Sequence, residues 1–423
     1  MARKKKKEVK AQQDMKDIQG RFIGNIEALN VFVENVHPIA EKQDIKSVKK
    51  IERSVKEINK ILGIKLKKKA GEKQKNKEDD ITDEQIDQIT KIAYELKRGI
   101  SPPQAALLYK SSFVMLMSYF DYLLSDLIQY FFRKYPASLS ERELGVTFRE
   151  IQLFDKINDV IDFVVNKEVE NILYNKNLEK QKLYFKNNLK IEIQDDMINW
   201  NKINEAMERR HIIAHNDSRI NRRYINSVDL SVVPENKKDL KEGERINIHE
   251  KYFRNVFEEI SVAGIIIIQN CWRKWSKDEA EDADSALNDC IYNELSKERW
   301  KIAERLGLFS KICKVCKQQD RLYLDINYCQ SLKWQGKKEE LERELKKFDL
   351  SSLRPIYILA IHALKSDREN FYGSIENAVK VDDMIETQLM EWPLFRELKK
   401  DKEYEARIKS VFSSMTEKET GKS

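Results

Sequence analysis

The most constraining feature of the sequence is a long series of apolar residues spaced three or four apart. Between Pro103 and about Tyr135, an ideal helix would gather them on one side, as Phe113, Leu116, Met117, Phe120, Leu124, Leu127, Ile128 and Phe131. This spacing is typical of a helix with one buried face. It predicts a long helix packed against other helices.

The same segment approaches the length of a membrane span, but it carries two carboxylates. Asp126 would project roughly 140° from the centre of the apolar stripe, into solvent, and Asp121 would lie at its edge, roughly 80° from Phe113. Two acids facing lipid would be costly, so we expect a helix buried in protein and no membrane association. An acid at the margin of a buried face is usually paired, which singles out Asp121.

Composition extends the helical prediction to the whole chain. Glycine (12) and proline (7) are scarce among 423 residues, while 41% of residues are hydrophobic and 35% are charged. A chain rich in Lys, Glu, Ile and Leu with few breakers is typical of an all-α protein. Five cysteines without framework spacing, and a basic start that no apolar signal core follows, favour a cytoplasmic location.

Residues 1–97 are predicted to form a basic helical arm. Residues 1–80 hold 22 Lys/Arg and 13 Asp/Glu, whereas the rest of the chain is near neutral. Apolar spacing predicts two helices in a hairpin across His37-Pro38, then a charged linker at 65–80. Thr82 and Gln85 have capping-box spacing for a helix that should end at Gly99. Such an arm suits contact with nucleic acid, or it only aids solubility.

The densest set of groups suited to phosphate chemistry lies at Glu208-Arg209-Arg210-His211-Ile212-Ile213-Ala214-His215-Asn216-Asp217. A helix from Ile198 is predicted to end there. Guanidinium groups hold phosphate oxygens, and imidazoles transfer protons near neutral pH. His215 falls in the last turn, where the negative end of the helix dipole stabilises an imidazolium. Five arginines fall within fifteen residues: Arg209, Arg210, Arg219, Arg222 and Arg223.

Arg210 and His215 would not converge on one phosphorus within a single ideal helix. They are separated by about 140° around the axis and about 7.5 Å along it. Fraying near Asn216, or a second copy across a two-fold axis, would bring them together.

The segment Arg210-His211-Ile212-Ile213-Ala214-His215 resembles the Arg-x4–6-His motif of HEPN-domain ribonucleases, and the resemblance extends over about residues 98–276. The family favours a polar residue, often asparagine, directly after the arginine, where this chain has His211. The resemblance implies a helical bundle that pairs into a homodimer with one composite site. That site would need no metal or other cofactor and would cut RNA through attack by its own 2′-hydroxyl.

The resemblance also implies roles for individual residues. Arg210 would stabilise the pentavalent phosphorane, His215 would act as general base or acid, and His211 would orient the reacting groups. Asp121 and Asn216 are expected to support the site. RNA is expected to contact Arg209, Arg219, Arg222 and Arg223. The implied protein is a toxin or an antiviral defence effector whose activity is restrained.

Three other interpretations compete with this one. An inactive helical module could bind RNA or a protein through the same arginines. Two Glu-x-x-His motifs, at Glu34 to His37 and Glu208 to His211, could bind a di-iron centre, but Pro38 and the lack of two further glutamates oppose it. Cysteines 290, 313, 316 and 329 are interpreted as small apolar residues of helical segments and not as a zinc site.

Residues 285–415 are predicted to form a helical-repeat domain. Leu332 and Leu364 occupy matching places 32 residues apart, each before a charged turn. The segment Trp392-Pro393-Leu394-Phe395-x-x-Leu398 suggests a closing repeat. In spacing and ending, this region resembles tetratricopeptide-like repeats. Stacked hairpins form extended concave surfaces, so a protein partner or trigger is expected to bind here.

Overall fold

The computed structural model describes residues 14–63, 81–139, 147–175, 177–193, 196–234, 240–382, 384 and 386–420. Helices make up 79% of the described residues, which confirms the all-α prediction. Within those ranges the only β-pairing is an isolated antiparallel bridge between Arg219 and Arg245. The predicted linker at 65–80 lies outside the described residues. No described helix combines the length and the apolar character needed to cross a membrane.

The helices are, in chain order, α1 Met15–Ile61, α2 Asp83–Gly99, α3 Gln104–Lys134, α4 Phe148–Ile151, α5 Ile157–Asn175, α6 Leu178–Asn187, α7 Trp200–His215, α8 Arg222–Ser227, α9 Glu250–Trp275, α10 Ala280–Ser296, α11 Trp300–Ile312, α12 Gln318–Trp334, α13 Lys338–Leu345, α14 Pro355–Leu364, α15 Arg368–Asp382, α16 Glu386–Glu391 and α17 Tyr404–Thr420.

A single helix replaces the hairpin predicted at His37-Pro38. Helix α1 runs for 47 residues with Pro38 inside it. Proline removes one backbone donor and disfavours a helix interior, but packing can hold the turn in place. Here the ring of His37 lies 5.4 Å from that of Tyr109, and its Nε2 lies 3.7 Å from a carboxylate oxygen of Glu250. The hairpin prediction was wrong because it treated the proline as a stop.

Helices α2 and α3 follow the sequence closely. The capping box at Thr82 and Gln85 is present, and α2 ends at Gly99 as predicted. All eight residues of the apolar stripe on α3 are buried. The placement of Asp126 in solvent was wrong: its side chain is only 15% exposed, and its carboxylate lies 3.1 Å from the guanidinium of Arg21.

The chain forms two compact units that cut across the three predicted domains. Of the described residues, those within 14–23, 120–203 and 258–420 form the first unit, and those within 24–119 and 204–257 form the second. The domain boundaries at 97–98 and 276–285 therefore stay predictions from the sequence. The HEPN-like arrangement of the helices also stays a prediction.

A close helix contact in the first unit depends on Gly264 of α9. A Cβ atom at this position would clash with the ring of Phe22 and approach a methyl group of Leu123 to 3.1 Å. Only glycine lets the helices that carry these side chains approach so closely.

Helices α10 to α17 form the C-terminal part of the first unit. Consecutive helices pack on each other, as α10 on α11, α11 on α12 and α14 on α15. Three turns end in a residue with left-handed backbone: Glu298 (φ 61°), Gly336 (φ 71°) and Ser366 (φ 58°). The intervals between these residues are 38 and 30, so the turns do not recur at one fixed spacing.

The same turns show which residues are structurally equivalent. The amide of Lys337 donates to the carbonyl of Leu332 across Gly336, and the amide of Asp367 donates to that of His362 across Ser366. His362, and not Leu364, is therefore the counterpart of Leu332 at the Ser366 turn. The likeness to tetratricopeptide repeats stays a prediction.

The four cysteines of this region do not share one environment. Cys290 and Cys329 are buried in helices, as expected. Cys313 and Cys316 instead lie in the loop between α11 and α12, the first half-buried and the second exposed. For these two the expectation of a helical core position was wrong.

Candidate active site

Helix α7 carries the motif and ends where the sequence predicts. His215 is its last residue, and the next residues, Asp217 (φ 48°) and Ser218 (φ 62°), adopt left-handed backbone. The amides of Asn216 and Ser218 both donate to the carbonyl of Ile212. The Asn216 side chain donates to the carbonyl of Arg219 at 2.7 Å, so this amide holds the chain as it leaves the helix.

Backbone pairing fixes the segment after the helix. Ile220 donates to the carbonyl of Glu244 at 2.9 Å and accepts from the amide of Gly243 at 2.8 Å, and Ile246 donates to Ser218 at 2.9 Å. A small apolar core lies beneath, made of Ile212, Ile220, Tyr224, Val228, Val233 and Ile246. Helix α8 is held along α7: the side chain of Asn204 donates to the carbonyl of Ser227 at 2.6 Å, and Arg223 reaches Glu208.

The buried side of α7 carries a closed ionic network around Glu205. One carboxylate oxygen accepts from Nε of Arg209 at 2.7 Å and from the hydroxyl of Tyr224 at 2.5 Å. The other accepts from the hydroxyl of Tyr252 at 2.6 Å. The guanidinium lies 4.1 Å from the centre of the Tyr252 ring and donates to the carbonyl of Asn247. Burial and the charge of Glu205 raise the pKa of Tyr252 well above its ordinary value, so this hydroxyl stays a donor.

The RNA-binding role predicted for Arg209 was wrong. Its side chain is 0% exposed. A guanidinium with no accessible surface cannot contact RNA, and its donors already serve protein acceptors. Arg209 instead joins α7 to the segments that carry Tyr224 and Tyr252.

The exposed side of α7 carries a second glutamate–arginine pair. Nε and Nη2 of Arg223 each donate to Glu208 at 3.2 Å, and the side chain of Arg223 remains 57% exposed. Nη1 of Arg223 lies 3.5 Å from Nε2 of His211. The rings of His211 and His215 have centroids 5.0 Å apart. One face therefore presents two imidazoles and a guanidinium held by a buried carboxylate.

The environment of His211 favours the neutral imidazole. Partial burial lowers its pKa, and the neighbouring charge of Arg223 lowers it further, while Glu208 opposes them. A guanidinium has donors only, so the Nε2 that faces it acts as an acceptor. His211 is therefore suited to take up a proton near neutral pH.

The remaining predicted arginines occupy different places. Arg210 is half-buried and is directed to another side of α7, five residues before His215. Arg222 is 82% exposed and pairs with Glu242 at 3.1 Å. Arg219 is exposed and donates to the carbonyl of Gly243 at 3.0 Å. Arg245, which the sequence did not single out, pairs with Asp217.

Asp121 belongs to the first unit, whereas the motif residues from Asn204 onward belong to the second. Its side chain is half-buried on α3. Its support of the site stays a prediction, and Asp126 no longer serves as its solvent-exposed counterpart.

The di-iron alternative lacks the required arrangement. Across the described ranges, no three His, Cys, Asp or Glu side chains are grouped closely enough to hold a metal ion. Glu208 is engaged by Arg223, and His37 lies beside Glu41 and Glu250 at distances of 3.9 and 3.7 Å.

Sequence reasoning missed Glu208 as a partner of the site and missed the place of Arg223 within it. The three-residue spacing of Glu208 and His211 on one helix face was a usable signal. Nothing in the spacing indicates that Arg223, fifteen residues later, returns to Glu208.

Comparisons of the chain with known proteins found no match. No protein-family model matches the chain, and no curated protein or solved structure is similar to it.

Proposed function

We propose that the chain is a metal-independent RNA endonuclease that cuts by attack of the RNA 2′-hydroxyl on the adjacent phosphorus. The observation that carries this proposal is the exposed face of α7. There His211 and His215 lie side by side, and Glu208 fixes the guanidinium of Arg223 next to them. Two proton-transfer groups and one positioned cation suit this reaction without a metal ion.

His211 is the proposed general base. Partial burial and the charge of Arg223 lower its pKa and so favour the neutral imidazole, whose Nε2 can accept the proton of the 2′-hydroxyl. The 2′ oxygen then forms a bond to phosphorus. Nη1 of Arg223, the nitrogen that Glu208 does not hold, moves from His211 to a phosphate oxygen and balances the charge of the phosphorane.

His215 is the proposed general acid. It is exposed at the last residue of α7, one turn beyond His211. As the bond from phosphorus to the 5′ oxygen breaks, that oxygen takes the proton from His215. The products are a 2′,3′-cyclic phosphate and a 5′-hydroxyl. Transfer of a proton from His211 to His215 through solvent then returns both histidines to their starting protonation states.

Arg210 is assigned to the site of a second copy. It lies on another side of α7 from His215 and therefore suits a composite site in a homodimer. Arg219 and Arg222 are exposed on the segment that follows α7 and would bind the RNA backbone, with Asn216 in support. Restraint of such a toxin or defence nuclease would come from a partner on helices α10 to α17.

The test is cleavage of a labelled single-stranded RNA by purified protein with a chelator present. We expect cleavage to survive, to leave 2′,3′-cyclic phosphate ends, and to fall by at least about a thousandfold in His215→Ala. His249→Ala, at an exposed histidine outside the cluster, is the matched control. RNA binding without cleavage by the wild type would favour the inactive interaction module, and activity that needs a divalent ion would overturn the mechanism.

A further inference from the structure

The C-terminal half of α1 and the whole of α2 form an antiparallel hairpin in the second unit. The side chain of Gln85, at the start of α2, donates to the carbonyl of Ile61, at the end of α1. At the opposite end, Gly99 lies against the side chain of Lys50. The two helices therefore run side by side in opposite directions.

This hairpin, residues 41–61 with 83–99, has no buried residue. The last buried residue of α1 is Ala40, and every residue of α2 keeps accessible surface. Two helices of about five turns gain too little from each other to be stable in water, since helices of this length depend on tertiary burial. The hairpin needs a further surface to pack against.

The apolar residues of the hairpin form two sets. The inner set consists of half-buried residues that we place between the helices: Ile51, Ile58, Ile89, Ile92 and Leu96. The outer set is Ile45, Val48 and Val55 on α1 and Ile86 on α2, each between 46% and 52% exposed, with Ala93 beside them. An exposed apolar set of this regularity marks an interaction surface.

The outer set lies on one side of the hairpin. Along α1 its members are rotated roughly 50–130° from the inner set, and along α2 roughly 70–90° in the same rotational sense. Because the two helices are antiparallel and face each other, equal rotations carry both groups to the same side. We call this side the open face. Its apolar residues extend over about 15 Å along α1 and about 10 Å along α2.

We propose that the open face packs on the open face of a second copy of this chain, so that two hairpins form a four-helix bundle. Charge complementarity favours this occupant. Residues 41–61 hold seven Lys/Arg and four Asp/Glu, whereas residues 83–99 hold three Lys/Arg and four Asp/Glu. A two-fold axis that lays α1 of one copy on α2 of the other brings the basic helix against the acidic one.

The proposal does not depend on the nuclease activity, and it moves the expected dimer contact from residues 98–276 to the hairpin. It also supplies the two copies that a composite site requires. The two ideas can fail separately, because oligomeric state and RNA cleavage are measured in different experiments.

The test is sedimentation equilibrium of the full chain over a dilution series. We expect the wild type to form a dimer and the double variant Val48→Glu/Val55→Glu to dissociate at least about a hundredfold more readily, because two carboxylates would lose water in the interface. The control is Gln43→Glu/Gln88→Glu, which adds the same charge at exposed positions on the opposite side of the hairpin. It should dimerise like the wild type.

Hydrogen exchange gives a second readout that does not rely on the variants. Amides of α2 should be protected in concentrated wild type and lose protection on dilution in step with dissociation. A wild type that is monomeric throughout, a dimer that survives both glutamates, or α2 protection independent of concentration would each overturn the proposal.

Discussion

Each of the two sides of α7 carries a glutamate–arginine pair, but the two pairs have different roles. On the buried side, Glu205 binds Arg209, and its carboxylate oxygens also accept hydrogen bonds from two tyrosine hydroxyls. On the exposed side, Glu208 holds Arg223 through two nitrogens, and the third faces an imidazole and solvent. The first pair is saturated and closed, whereas the second keeps a donor available. Burial and saturation, and not residue type, separate the arginine that holds the fold from the arginine suited to bind a ligand.

The largest expected effect is on the buried side. Arg209→Ala should lower the free energy of unfolding by about 3–5 kcal/mol, because Glu205 would remain buried without its counter-charge. Denaturant unfolding followed by circular dichroism measures this loss. Arg219→Ala, at an exposed position, should change stability by less than about 0.5 kcal/mol. Equal effects from both would mean that the buried network contributes nothing special.

The corresponding change on the exposed side should affect activity and destabilise the fold less. Arg223→Ala should lower the cleavage rate by about a hundredfold or more, since a positioned donor to the phosphorane is lost. Its stability should fall by about 1–3 kcal/mol, less than in Arg209→Ala, because Glu208 is buried but water can reach it where the exposed guanidinium is removed. Arg222→Ala is the comparison, because the neighbouring arginine pairs with Glu242 and not with Glu208, and it should lower the rate far less. Cleavage at the same rate by both variants would remove Arg223 from the mechanism.

A smaller effect should appear in the titration of His211. Burial and Arg223 lower its pKa, so an NMR titration should give a value below the ordinary 6.5 of histidine, and Arg223→Ala should raise it. The folded chain then binds this proton less readily than the unfolded chain. Stability should fall as pH drops through about 6.5, and the acidic limb of the cleavage profile should lie below that pH. A His211 pKa unmoved by Arg223→Ala would show that the two groups are uncoupled.

The smallest effect should come from the fully exposed arginine. Arg222→Ala should reduce RNA affinity only slightly, and it should lower the slope of log Kd against log salt by about 0.7, the loss of one contact to a single strand. Fluorescence anisotropy at several salt concentrations measures this. An unchanged slope would place the RNA path away from α8.

Local features of the chain were predictable, and pairings across sequence distance were not. The stripe on α3, the capping box at Thr82 and the end of α7 near Asn216 depend on neighbouring residues and were found where the sequence placed them. Whether Arg209 is buried depends on Tyr224 and Tyr252, which come 15 and 43 residues later. Spacing along one helix cannot report such partners. The continuity of α1 through Pro38 likewise depends on contacts from residues far along the chain.

At the left-handed turns of Glu298 and Ser366, backbone strain is accepted in exchange for a side-chain contact. Glycine would adopt these φ values with less strain, as Gly336 does between them. Yet Glu298 contacts Arg396 at 2.7 Å, and Ser366 donates to Glu397 at 3.1 Å, so both turns attach to the stretch that precedes α17. Glycine at either turn would therefore relax the local backbone and remove one attachment of that stretch, while its core residues Leu394, Phe395 and Leu398 stay buried. Substitutions chosen for thermal robustness would fail here by loosening the end of the helical array while the turn itself improved.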